Sequence, residues 1–135
     1  MARFQVKTNG VNDILEITDQ TQEIIKKSGV EDGIALIFVL GSTASLTLIE
    51  YEEGVIQDLK DFFEKIIPEK GEYNHEKWQN GNGFSHVRAG LLKPSLTVPV
   101  ESGKIVLGQW QRIALIDFDN KKRERTIVVK TINSN

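Results

Sequence analysis

His75 and His86 are the only imidazoles in the chain, and both lie in or beside a polar, aperiodic stretch at residues 69–85. Glu76, Asn82, Ser85 and Arg88 stand close by in sequence. Together these supply a carboxylate, an amide, a hydroxyl, a guanidinium and two bases that titrate near neutral pH. Read as a strand, Ser85-His86-Val87-Arg88 puts His86 and Arg88 on one face, about 7 Å apart at Cα, a span that a phosphate or carboxylate bridges. Hydrogen bonding that merely ties down a loop is the competing reading of the same histidines. His75, His86 and Glu50 form a second constellation, since two imidazoles and a carboxylate are enough for a catalytic zinc with an open position, although their spacing matches no motif. Gly41-Ser42-Thr43 offers backbone amides and two hydroxyls as an anion nest if the chain leaves a sheet there; a plain connecting turn is the alternative. It lacks the Gly-x-x-x-x-Gly-Lys spacing of a phosphate loop. Trp78, in the polar stretch, is a candidate pocket lid or interface residue. Trp110, flanked by strand pattern, reads as a packing residue.

These side chains need elements to hold them. Residues 3–8 and 14–17 alternate as two strands around an Asn9-Gly10 turn. A helix follows, with Thr18 as its N-cap, Lys26 and Lys27 in its last turn and Gly29 closing it. Residues 34–40 form an unbroken apolar run that reads as a central strand buried on both faces, followed by a strand at 45–50. Val55, Leu59, Phe62, Phe63, Ile66 and Ile67 recur at helical spacing until Pro68. Strands are then expected at 87–92, 96–100, 105–110, 113–118 and 126–132. The fold class is α+β, a sandwich-like sheet system with two main helices, and residues 1–135 read as one domain.

Composition narrows the function. With 39% hydrophobic and 27% charged residues and a formal net charge of −2, the chain reads as an ordinary cytoplasmic globule. Neither nucleic acid nor membrane is an expected partner, because there is little net positive charge and no long apolar run. The basic Lys121-Lys122-Arg123-Glu124-Arg125 run reads as a solvated hairpin end. There is no cysteine, so thiolate nucleophiles and sulfur-ligated zinc are excluded.

Three blocks combine into a recognisable whole: residues 38–50 around Gly41-Ser42-Thr43, residues 81–89 from Gly81-Asn82-Gly83 to Ala89, and residues 94–111 ending Leu107-Gly108-Gln109-Trp110-Gln111. In order and spacing the chain resembles the YjbQ family. That resemblance implies a homotrimer with a polar cleft near subunit contacts, and thiamine-phosphate synthase-like transferase activity on a small phosphorylated or anionic metabolite. It carries the family's functional positions onto His86, Asn82, Glu50, Thr43 and Thr47. Many members have a histidine where this chain has Gly41, and a usual asparagine is replaced by Ile49; His75 is the candidate for the second imidazole. On this reading His86, Asn82, Glu50 and His75 are catalytic, and Gly41, Ser42, Thr43, Thr47, Arg88 and Trp78 bind ligand. The sequence names no cofactor; a divalent metal, magnesium or zinc, is the candidate. Metal-assisted hydrolysis and a non-catalytic binding or assembly module are the alternatives.

Overall fold

The computed structural model describes residues 2–78 and 80–134. Among the described residues eight strands form two sheets: β1 Ala2–Thr8, β2 Asp13–Glu16, β3 Gly33–Val39, β4 Ala44–Glu50, β5 Ser95–Glu101, β6 Lys104–Ile105, β7 Gln111–Asp117 and β8 Arg123–Asn133. The larger sheet runs β1-β8-β3-β5-β6 and the smaller β2-β7-β4, with antiparallel pairing throughout. Helices α1 Thr18–Ser28, α2 Glu53–Ile66 and α3 Gly83–Leu92 complete the α+β fold, with a short 3-10 turn at Asn74–Trp78.

The smaller sheet is covered on both sides. On one side Ala44, Leu46, Ile113 and Leu115 meet Ala35, Ile37, Val39, Val98, Ile127 and Val129 of the larger sheet, with Ile17 and Ile25 from the α1 region closing the core. Ile14, Ala114, Ile116 and Phe118 form a second core with Phe63 and Ala89, which belong to α2 and α3. Strand alternation explains the division, because successive β7 side chains point to opposite layers. The doubly buried strand is therefore β7, and β3 departs from expectation: Ala35, Ile37 and Val39 are buried while Ile34, Leu36 and Phe38 are exposed. An apolar run alone does not distinguish burial on two faces from an apolar outer face.

Local chemistry sets the helix ends. Gly29 closes α1 at φ 78°, where a Cβ would be strained, as the sequence predicts. Thr18 is not the N-cap: that position is Ile17, and the Thr18 hydroxyl accepts from the Ile113 amide, tying α1 to β7. Glu52 caps α2 by accepting from the Gly54 and Val55 amides, and those two bonds hold its carboxyl below the ordinary range.

Two expected strands are replaced. Residues 83–92 are helical, because Phe84, Ser85, Arg88 and Ala89 form a buried stripe at helical spacing while Val87 and Leu91 face outward. A stripe containing serine and arginine does not register as hydrophobic periodicity. The strand expected at 105–110 ends at Ile105; the Gly108 amide donates to the Gln111 side chain and the Gln111 amide to the Gly108 carbonyl, making a turn. Trp110 is consequently 65% exposed rather than packed.

Candidate functional site

The 3-10 turn and the first turn of α3 bring the two histidines together, with ring centroids 4.4 Å apart and planes inclined at 51°. Glu76 fixes this junction by accepting from the Gly81 and Gly83 amides, 3.0 Å each. The positive end of α3 thus already faces an internal carboxylate. Burial first, and the neighbouring His75 second, push the His86 imidazole below its ordinary value, against an opposing pull from Asp119. That environment favours the neutral imidazole at His86. Nε2 of His75 and Oδ1 of Asn82 are buried without a hydrogen-bond partner. Such groups are costly to leave unpaired.

Behind the pair lies an ion-pair network. The Asn82 amide donates to Asp119 Oδ1 (3.3 Å), Thr43 donates to Asp119 Oδ2 (3.1 Å), and Arg123 donates to the same oxygen through Nε (2.8 Å). Burial alone would raise the Asp119 carboxyl, but the hydrogen bonds from Arg123, the Asn120 amide and Asn82 outweigh it and leave the group below its ordinary value. Arg125 grips Asp117 with Nε and Nη2 (2.7 and 2.9 Å), and Thr8 donates to the same carboxylate (2.6 Å). The basic run is thus a solvated hairpin only in part, since Arg125 is 7% exposed. The Asp117-x-Asp119 and Arg123-x-Arg125 spacing on either side of the turn between β7 and β8 is the only signal in the sequence that could have indicated this pairing.

The remaining candidates are dispersed. Arg88 does not share a face with His86, since two positions along a helix turn the side chain by more than half a circle. It is 0% exposed; Nε and Nη2 donate to the Ile67 carbonyl, Nη1 to Asn12 and Nη2 also to Glu64, and the rings of Phe63, Phe84 and Phe118 surround it. The expected anion grip is a structural tie between α2, α3 and the β1–β2 loop. Glu50 closes β4, roughly 20 Å of strand from the Thr43 end, so His75, His86 and Glu50 are not brought together. Among the described residues no three His, Asp or Glu side chains form a group able to hold a metal. The hard oxygen set that magnesium prefers is not assembled either, because Asp117 and Asp119 are engaged by arginines. Thr47 lies mid-strand on β4, opposite Ala114. Trp78 is exposed at the end of the 3-10 turn, under the Lys77 ammonium. Gly41 takes φ 122°, and a Cβ there would lie 2.7 Å from Arg125 Nη1, which accounts for glycine where the resemblance leads one to expect histidine.

The family model described as UPF0047 protein YjbQ-like matches residues 2–134. The chain belongs to the UPF0047, or YjbQ-like, family. One relative in this family, a UPF0047 protein of Archaeoglobus fulgidus, is 37% identical over 123 residues, covering 91% of this chain and 94% of that one. Another, from Methanocaldococcus jannaschii, is 34% identical over 131 residues, 96% of this chain and 92% of its own. Among solved structures, an uncharacterised YjbQ/UPF0047 protein of Clostridium acetobutylicum superposes with a TM-score of 0.90 at 32% identity, covering 98% of this chain and 100% of that one. A protein of unknown function from Sulfolobus solfataricus, described as YbjQ-like, gives 0.88 at 30% identity over 98% and 97%. The fold and the family expectation are thus established together. No helix among the described residues is long and apolar enough to cross a membrane.

Proposed function

We propose that this chain binds a small anionic metabolite at the corner between the 3-10 turn, the start of α3 and the β7–β8 turn, and that the His75–His86 pair performs acid–base chemistry on it. The observation that carries this reading is the 4.4 Å approach of two imidazoles, one in surroundings that favour its neutral form and the other carrying an unpaired buried nitrogen. A neutral imidazole accepts a proton at one nitrogen while donating from the other, so the pair can serve as base and acid to one ligand. Asn82 supports it twice over, anchoring to Asp119 with its amide nitrogen and leaving its oxygen for a ligand N–H or O–H.

Metal-assisted hydrolysis ranks second, because Glu50 is the missing third ligand. The thiamine-phosphate synthase-like transfer implied by the resemblance asks for a diphosphate grip and magnesium ligands, and Arg88 and Glu50 are committed or remote. Cytoplasmic location and a homotrimer belong to the same reading; the outward apolar face of β3 (Ile34, Leu36, Phe38) supports assembly, since large exposed apolar patches mark interaction sites.

A thermal-shift screen against phosphorylated and carboxylate metabolites tests the proposal, since a ligand of the folded state raises its melting temperature. At least one compound should stabilise the parent but neither His75→Ala nor His86→Ala. Stabilisation that persists unchanged in both variants would overturn it.

A further inference from the structure

The Gly41-Ser42-Thr43 turn lies over a buried cation. Of the five N–H donors a guanidinium carries, those on Nε and Nη2 of Arg125 are directed to Asp117 and Thr43. Nη1 makes no hydrogen bond among the described residues, although Arg125 is 7% exposed. It lies against Gly41: on the side where a side chain would project, Nη1 and Cζ of Arg125 are, apart from the flanking Leu40 and Ser42, the atoms of the described residues within 4 Å, at 2.7 and 3.8 Å from an ideal Cβ. Glycine lets the guanidinium pack directly against the backbone, in space a Cβ would need. The backbone N–H groups of Gly41 and Ser42 are likewise without a backbone partner among the described residues, and both residues are exposed.

We propose that Arg125 Nη1, packed against Gly41 beside the exposed Gly41-Ser42 backbone, is an oxyanion subsite for the carboxylate or phosphate group of a small metabolite. Asp117 does not close it. That carboxylate occupies the Nε–Nη2 edge, where it fixes the guanidinium plane and leaves the Nη1 donors facing outward. Because Asp117 and Asp119 offset Arg125 and Arg123, an isolated ion binds weakly and the site selects by hydrogen-bond geometry more than by net charge. Through Thr43, Asp119 and Asn82 the subsite connects to the first turn of α3 by contacts of 2.6, 3.1 and 3.3 Å. It therefore supplies the anionic end of the metabolite proposed above. That reading gives its setting, but simple anions test it without either histidine, so the two can fail separately.

The experiment is a backbone and arginine-Nε NMR titration of the parent chain with inorganic phosphate and, separately, acetate. Saturable shifts are expected at Gly41, Ser42, Thr43 and Arg125 Nε, and the anion that produces them identifies the group preferred. Gly41→Ala, which puts a methyl against Nη1, should weaken binding roughly ten- to hundredfold, the range of a lost charge-assisted hydrogen bond. Should that variant not fold, the location of the shifts in the parent decides alone. No saturable shift with either anion overturns the proposal. So do shifts confined to the groove lined by Lys7, Lys122 and Arg123, or parent-like affinity in a folded Gly41→Ala chain.

Discussion

Arg125 and Asp117 face each other across the β7–β8 turn through two hydrogen bonds of 2.7 and 2.9 Å, with the carboxylate wholly buried. Their separation of eight residues is spanned by the turn that carries the chain from the smaller sheet to the larger, so the pair ties the two sheets together. Removing only the cation strands the carboxylate. Arg125→Met is expected to cost about 3–5 kcal/mol, the range for breaking a buried pair from one side. Chemical denaturation checks it; a loss under about 1 kcal/mol would mean the pair is solvated.

Arg88 calls for a different pair of variants. Arg88→Met leaves the Ile67 carbonyl without its donors and should destabilise by roughly 1–3 kcal/mol or more. Glu64→Gln should change stability by less than about 1 kcal/mol, because the Glu64 side chain is largely exposed. Equal losses in the two denaturation curves would contradict the assignment of Arg88 to backbone anchoring.

Much of this frame was legible in the sequence. The period-two alternation of β1, the apolar strand segments of β4 and β7, the glycine that ends α1 and the apolar spacing of α2 each express a single local rule. Helix α3 was hidden because its buried face carries Ser85 and Arg88, whose burial depends on acceptors and aromatic rings supplied by distant segments. His75 and His86 were identified as residues, but their meeting required a 3-10 turn to fold back onto α3. Arg125 was missed because a basic run ordinarily reads as surface, and only the packing of the sheet that holds β8 against the sheet that holds β7 turns Arg123 and Arg125 toward buried aspartates. Glu50 failed as a partner for a simpler reason: a strand keeps its two ends apart.

Stability should fall on acidification in two stages. The folded-state value of His86 lies below the unfolded value of about 6.5. Between those values the unfolded chain binds more protons, so stability is full above about pH 6.5 and declines as pH drops toward the folded value. Asp119 is also held low, so its contribution is present above the ordinary carboxylate range and lost as pH falls through its folded value. Denaturation midpoints across pH should show the first decline in the parent and not in His86→Ala. An unchanged profile in that variant would assign the decline to other groups.

Assembly is expected to use the apolar outer face of β3. Light scattering on a size-exclusion column should give three times the 15.2 kDa chain mass, and Leu36→Lys with Phe38→Lys should reduce it to one chain. A monomeric parent at micromolar concentration would contradict this.

The most direct measurement of the central claim is the affinity of one stabilising metabolite for the parent, His75→Ala and His86→Ala, determined by calorimetry alongside each chain's melting temperature. The proposal predicts at least a roughly tenfold loss in both variants, equivalent to about 1.4 kcal/mol, with melting temperatures close to the parent's. Parent-like affinity in both folded variants would contradict it and leave the His75–His86 contact a structural one.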